Sequence, residues 1–79
     1  MKLTIKYFGM IEEAAGKSEE KINFQSSISV DELKSHLEYT YPSIKEKNFQ
    51  IAVNQTLANG SQLISEDCEI ALLPPFAGG

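Results

Sequence analysis

An α+β domain is what this sequence predicts, from three features: period-two alternation at the start, one well-capped amphipathic helix in the middle, and a short strand apolar on both faces near the end. Residues 2–8 put Leu3, Ile5 and Tyr7 on one face and Lys2, Thr4 and Lys6 on the other, the pattern of a half-buried strand. Residues 10–15 are too few for a stable isolated helix and run into Gly16, so one or two helical turns and then a turn are expected. Residues 20–25 form a second strand, with Ile22 and Phe24 facing inward. Ser29-Val30-Asp31-Glu32 fits a capping box, with Ser29 as N-cap and Glu32 at N3, and Ile28 and Leu33 occupy the hydrophobic-staple positions around it. Val30, Leu33, Leu37 and Tyr41 follow helical spacing and make one core-facing stripe. Pro42 disfavours helix at Tyr41, so the helix should end at residues 39–41.

The second half reads as strands joined by turns. Residues 43–48 are polar and are expected as a plain connection. Phe49, Ile51 and Val53 alternate as a third strand. Asn54-Gln55 and Asn59-Gly60 are turn signals flanking a short strand at residues 56–58. Residues 69–73, Glu-Ile-Ala-Leu-Leu, have the composition of a central strand. Two early strands in a hairpin, one main helix packed across a mixed sheet, and a last strand buried centrally describe a ubiquitin-like β-grasp. In that fold the last strand lies parallel beside the first. The expected organisation is one β-grasp domain over residues 1–75 and a flexible Gly-Gly tail over residues 76–79.

Composition narrows the function. The 79 residues, 42% hydrophobic, suit a single globular domain. No apolar run approaches the roughly 20 residues of a membrane span, and the alternating start is not a signal peptide. No membrane association and a cytoplasmic location are therefore expected. The net charge of −4, the lack of any arginine and seven scattered lysines argue against nucleic acid. The acidic excess suits solubility and also steering toward a basic groove on a partner. The single cysteine, Cys68, makes no internal disulfide and no zinc or iron–sulfur site.

The chemistry is read at the end of the chain, Pro74-Pro75-Phe76-Ala77-Gly78-Gly79. Two glycines without Cβ atoms can thread a narrow channel and deliver a terminal carbonyl to a reactive centre. A carboxylate with a pKa of roughly 3.3–3.7 is ionised at neutral pH and inert. As an acyl-adenylate it becomes an acyl donor open to a sulfur or amine nucleophile. Pro74 and Pro75 stiffen the exit from the last strand, and the four residues after Pro75 reach roughly 13–14 Å when extended. Phe76 is suited to a pocket on a partner. These features describe a carrier whose working atom is its own last carbonyl.

Tyr7-Phe8-Gly9 followed by a Glu- and Ala-containing helical stretch, Ile51-Ala52-Val53-Asn54-Gln55, and Glu69-Ile70-Ala71-Leu72-Leu73-Pro74-Pro75 with terminal Gly78-Gly79 together resemble the MoaD family of β-grasp sulfur carriers, the small subunit of molybdopterin synthase. The resemblance runs the full length. Asp67-Cys68 stands where that family commonly has Gly-Asp, and Phe76-Ala77 where it more often has Val-Ser, so the partner's pocket is expected to fit an aromatic ring. The resemblance implies that an E1-like, MoeB-like enzyme adenylates Gly79 and that sulfur then replaces AMP to give a C-terminal thiocarboxylate. It also implies that residues 74–78 insert into a large, MoaE-like synthase subunit within a heterotetramer. There sulfur passes to precursor Z (cyclic pyranopterin monophosphate), and the two sulfurs of the product dithiolene consume two charged tails. On this reading the chain is the sulfur-donating subunit of a sulfurtransferase. It binds no cofactor, touches nucleotide only through its activating enzyme, and has no catalytic group beyond Gly79.

Other candidates have plainer readings. His36 lacks a partner constellation and reads as solvated surface. Cys68 reads as a turn cysteine whose thiolate Asp67 and Glu69 suppress. Glu12-Glu13 and Glu19-Glu20 are adjacent pairs that point apart, hence solvated charge. Gly9 and Gly16 make no phosphate loop. The competing functions are a thiamine-thiazole sulfur carrier, which shares the terminal Gly-Gly, a ubiquitin-like modifier that ends in an isopeptide bond to lysine, and a β-grasp interaction module without carrier chemistry.

Overall fold

The computed structural model describes residues 1–74. Strand β1 (Lys2–Tyr7) leads through helix α1 (Gly9–Ala15) to β2 (Glu19–Asn23), then β3 (Ile28–Ser29), helix α2 (Val30–Thr40) and a short helix α3 (Pro42–Lys45). β4 (Gln50–Val53), β5 (Thr56–Leu57), β6 (Leu63–Ile64) and β7 (Cys68–Leu73) follow. Five strands form one sheet in the order β2-β1-β7-β4-β5, and β3 pairs with β6 in a separate two-stranded sheet. β1 and β7 run parallel, with Ile5 opposite Ile70 and Tyr7 opposite Leu72, while every other pairing is antiparallel. This is the β-grasp arrangement: the last strand is central and parallel to the first.

Alternation decides which face is buried. Leu3, Ile5 and Tyr7 of β1 and Ile70 and Leu72 of β7 point to one side of the sheet, where α2 lays Val30, Leu33 and Leu37 against them. Leu3, Ile5, Leu33, Leu37, Ile70 and Leu72 are wholly inaccessible to solvent, so truncating any one of these leucines to alanine should cost about 2–5 kcal/mol. α2 starts where the capping box placed it. Ser29 Oγ accepts from Glu32 N at 3.1 Å, and Ser29 N donates to Glu32 Oε1 at 2.8 Å. Two otherwise orphaned donors are thereby satisfied, a stabilisation of about 1 kcal/mol. The helix ends at Thr40, before Tyr41 and Pro42.

Four local expectations are corrected. The stretch after the main helix is not a plain connection: Pro42–Lys45 is a helical turn with Ile44 fully buried. Pro42 at the helix start has its φ preset for helix, and one buried isoleucine anchors the turn. Leu63–Ile64 is a strand that the sequence does not announce, because two residues carry no readable period. Cys68 opens β7 instead of sitting in the preceding turn. Glu20 is not solvated charge; it faces inward and is half-buried, as described below. The Asn54-Gln55 turn holds as read. Both residues have positive φ, 48° and 72°, as a two-residue type I′ hairpin between Val53 and Thr56 requires. Among the described residues no helix is long and apolar enough to cross a membrane.

Candidate functional site at the root of the C-terminal segment

Of the six tail residues singled out by the sequence, the structure describes Pro74; Pro75, Phe76, Ala77, Gly78 and Gly79 lie outside the described residues. Pro74 is half-buried, beside the backbone of Gly9. Phe8 N donates to Leu72 O at 3.3 Å, which carries the β1–β7 ladder one step past Tyr7. The exit from β7 is thus held by the segment that ends β1 and starts α1.

The sheet face opposite α2 is built from the other half of each alternation, and it is divided lengthwise by polarity. At one end stand Lys2, Thr4 and Lys6 of β1 and Glu69 of β7. Lys6 Nζ lies 2.7 Å from Glu69 Oε2, and this contact holds the Lys6 ammonium above the ordinary lysine range. At the other end the same rows turn apolar. Ala71 and Leu73 follow Glu69 on β7, Ala52 lies opposite Ala71 on β4, and Leu57 lies opposite Ala52 on β5. Phe8, 42% exposed, closes this end and shares a shallow depression with Ala52, Ala71 and Leu73, with Gln55 and the Lys6–Glu69 pair on its rim. Leu57, 58% exposed, lines a different depression, with Val30, Lys34 and Phe49. Ala52 itself is buried, Ala71 and Leu73 are half-buried, and Phe8 is the exposed member. They form an open apolar patch at the end of the sheet from which the C-terminal segment departs.

This patch was not read from the sequence, although a signal exists. The outward row of the first strand, Lys2, Thr4, Lys6, ends in Phe8, and the outward row of the last strand, Glu69, Ala71, ends in Leu73. A polar row that becomes apolar at the same end of two neighbouring strands marks a surface meant to be covered.

The remaining candidates fall into place as structure. Glu20 Oε2 accepts hydrogen bonds from Tyr7 OH and Tyr41 OH, at 2.5 and 2.6 Å. Lys17 Nζ sits 3.6 Å from Glu20 Oε1 and 5.2 Å above the Tyr41 ring. Burial is the largest influence on Glu20 and by itself would raise its pKa. The Tyr41 and Tyr7 phenols with Lys17 outweigh it and hold the carboxyl below the ordinary range. Burial, then Glu20, pushes the Tyr7 phenol far above the ordinary tyrosine range. His36 is exposed, edge-on to the Phe24 ring at 5.3 Å. Burial raises the Cys68 thiol, with Glu66 and Asp67 adding to it. A protonated thiol is a poor sulfur relay, as expected. The contributing carboxylates are Glu66 and Asp67, however, since Glu69 is committed to Lys6. Among the described residues no group of three or more His, Cys, Asp or Glu side chains could hold a metal ion.

A ubiquitin-like β-grasp domain with an open apolar patch at the root of its C-terminal segment is the class that this geometry defines. The profile of the ThiS family matches residues 5–79. The molybdopterin synthase sulfur carrier subunit of Mycobacterium tuberculosis is 32% identical, over 100% of this chain and 99% of its own length. Among solved structures, a chain in the complex of subunits 1 and 2 of the molybdopterin-converting factor from Helicobacter pylori superposes with a TM-score of 0.70 at 26% identity, covering 100% of both chains. Small archaeal modifier protein 1 of Haloferax volcanii superposes with a TM-score of 0.82 at 19% identity, again over 100% of both chains, and shares the fold. The chain belongs to the ThiS family, in its MoaD branch.

Proposed function

We propose that this chain is the sulfur carrier subunit of a molybdopterin synthase and that Gly79 is its working residue. The observation that carries the reading is the end-to-end relation to molybdopterin synthase sulfur carrier subunits, together with the Gly78-Gly79 terminus. The Gly79 carboxylate attacks the α-phosphate of ATP on an E1-like, MoeB-like enzyme, and pyrophosphate leaves. A sulfur nucleophile at the sulfide level then attacks the acyl carbon, AMP leaves, and a thiocarboxylate remains. That sulfur is delivered to precursor Z within a large, MoaE-like subunit. Each dithiolene takes two sulfurs, so two charged carriers serve one product, which suits a heterotetramer with two carrier sites. The reaction would take place in the cytoplasm.

The body contributes docking and aim. Phe8, Ala71 and Leu73 supply apolar contact beside the departing segment, and residues 74–78 enter the partner. No side chain of this domain supplies acid–base chemistry, since the reacting sulfur is carried beyond it. The test is the intact mass of the C-terminal peptide after incubation with the activating enzyme, ATP and a sulfur source. One oxygen exchanged for sulfur on Gly79 is expected. Recovery of the carboxylate alone, with no adenylate trapped, removes the carrier reading. Gly79 found joined to lysine side chains, with no thiocarboxylate, would assign the chain to protein modification instead.

A further inference from the structure

Gly9 opens α1 and Gly16 caps its end, and both have positive φ, 56° and 79°. Their surroundings differ. A Cβ added at Gly16 would meet nothing within 4 Å, so that glycine serves the left-handed helix cap alone. A Cβ added at Gly9 would stand 3.2 Å from Pro74 Cγ, inside the optimal carbon–carbon separation of about 3.5–4.0 Å. Gly9 therefore meets two separate demands: a left-handed turn, and close approach of the proline through which the chain leaves β7.

We infer that Gly9 is a positioning residue for the C-terminal glycine: the seat of the Pro74 ring against the bare backbone of Gly9 sets the direction in which the chain leaves the sheet at Pro74. Proline has a nearly fixed φ, so the placement of its ring is coupled to the heading of the next peptide. Five residues reach at most roughly 16 Å, so a tilt of about 10° at Pro74 shifts the region that their end can sample by up to about 3 Å. A misplacement of about 1 Å at a reacting centre can already cost about a hundredfold in rate. The catalytic part of this inference rests on the carrier reading; the geometric part does not.

Gly9→Asn separates the two demands, because asparagine tolerates positive φ but carries a Cβ. Gly9→Asp has the same tolerance and is the second variant should the first not fold. Each is made in the parent chain and in a Pro74→Ala chain, giving a double-mutant cycle. The first readout is adenylation of Gly79 by the activating enzyme, followed as ATP–pyrophosphate exchange. In the parent background kcat should fall at least tenfold while KM for the carrier stays within about twofold, since the sheet patch still docks. In the Pro74→Ala background the same change should have no further effect. The second readout needs no chemistry: paramagnetic broadening of the Ala77, Gly78 and Gly79 amides by a nitroxide at Glu13→Cys in a Cys68→Ser chain. Gly9→Asn should change that profile in the parent background and leave it unaltered with Pro74→Ala. Equal effects in both backgrounds, or no effect in either, would overturn the inference. Failure of the parent chain to be adenylated would overturn the carrier reading alone, and the broadening would still decide the role of Gly9.

Discussion

Tyr7 and Tyr41, thirty-four positions apart in the chain, meet edge to face at 5.9 Å and give their phenolic hydrogens to the same oxygen of Glu20. Tyr7 closes β1, Glu20 lies on the edge strand β2, and Tyr41 caps the C-terminus of α2. One carboxylate therefore ties the first hairpin to the end of the main helix.

Removing the acceptor should cost more than removing one donor. Glu20→Ala strands the Tyr7 hydroxyl, whose residue is only 1% exposed, and should destabilise the domain by about 2–3 kcal/mol. Tyr7→Phe removes the buried donor together with its bond and should cost about 1 kcal/mol. At roughly 4–8 °C per kcal/mol for a domain of this size, thermal melts separate the two variants. Equal losses would show that the Tyr7 hydroxyl finds another partner when Glu20 is gone.

The same cluster fixes the sign of the pH dependence at both ends of the scale. Glu20 is held below the ordinary carboxylate range, so its contribution is present above that range and is lost as pH falls through its lowered folded value. Tyr7 is held above the ordinary phenol range. Its contribution is complete below about pH 10, the unfolded phenol value, and declines as pH rises from there toward the folded value. Denaturant midpoints across pH should fall at the acid and alkaline ends. Glu20→Gln should flatten the acid arm, and Tyr7→Phe the alkaline arm.

Long-period features were legible in the sequence, and short or tertiary ones were not. The alternation of Leu3, Ile5 and Tyr7, the capping box at Ser29 and Glu32, and the doubly apolar Ile70-Ala71-Leu72 each repeat over several residues. Together they gave the parallel β1–β7 pairing that defines the fold. Leu63–Ile64 is too short to show a period, and Pro42–Lys45 is held by the single buried Ile44. Glu20 beside Glu19 reads as surface charge until the fold brings Tyr41 to it from twenty-one residues away. The patch of Phe8, Ala52, Ala71 and Leu73 gathers from three segments, so no stretch of sequence displays it. Gly79, the working residue we propose, is the reverse case, chemically plain in the sequence and outside the described residues.

Shortening or blocking the terminus should separate function from folding. Deletion of Gly79, or Gly78→Ile, is expected to abolish thiocarboxylate formation and sulfur transfer. Both positions lie beyond β7, which ends at Leu73, so the melting temperature should change by no more than a surface substitution would cause, within about 0.5 kcal/mol. A large loss of stability would mean that the terminal residues pack on their own domain, and the model of a delivered arm would fail.

Phe76→Ala tests the partner claim. If the ring fills a pocket of the large subunit, the complex should weaken by about 2–4 kcal/mol, the range of an aromatic hot spot. The isolated domain should keep its melting temperature. Calorimetric titration measures the first quantity and a thermal melt the second. Unchanged affinity with lowered stability would place the ring on the domain itself and leave the Phe8 and Leu73 patch as the whole interface.

β7 is synthesised after every other strand, yet it occupies the middle of the sheet, between β1 and β4. Until Cys68–Leu73 has been made, β1 has only β2 to pair with, and an isolated hairpin is marginal in water. α2 meanwhile lacks Ile70 and Leu72, two of the side chains it packs against. Pairing Leu3 with Cys68 also closes a loop spanning nearly the whole described chain, the kind of distant contact that comes late in folding. A polypeptide broken off before Leu73 is therefore not a folded decoy able to occupy the partner empty-handed. It is a substrate for proteolysis. The strand from which the C-terminal segment departs is also the strand that completes the sheet, so chains that end before it are expected to be cleared before they can compete.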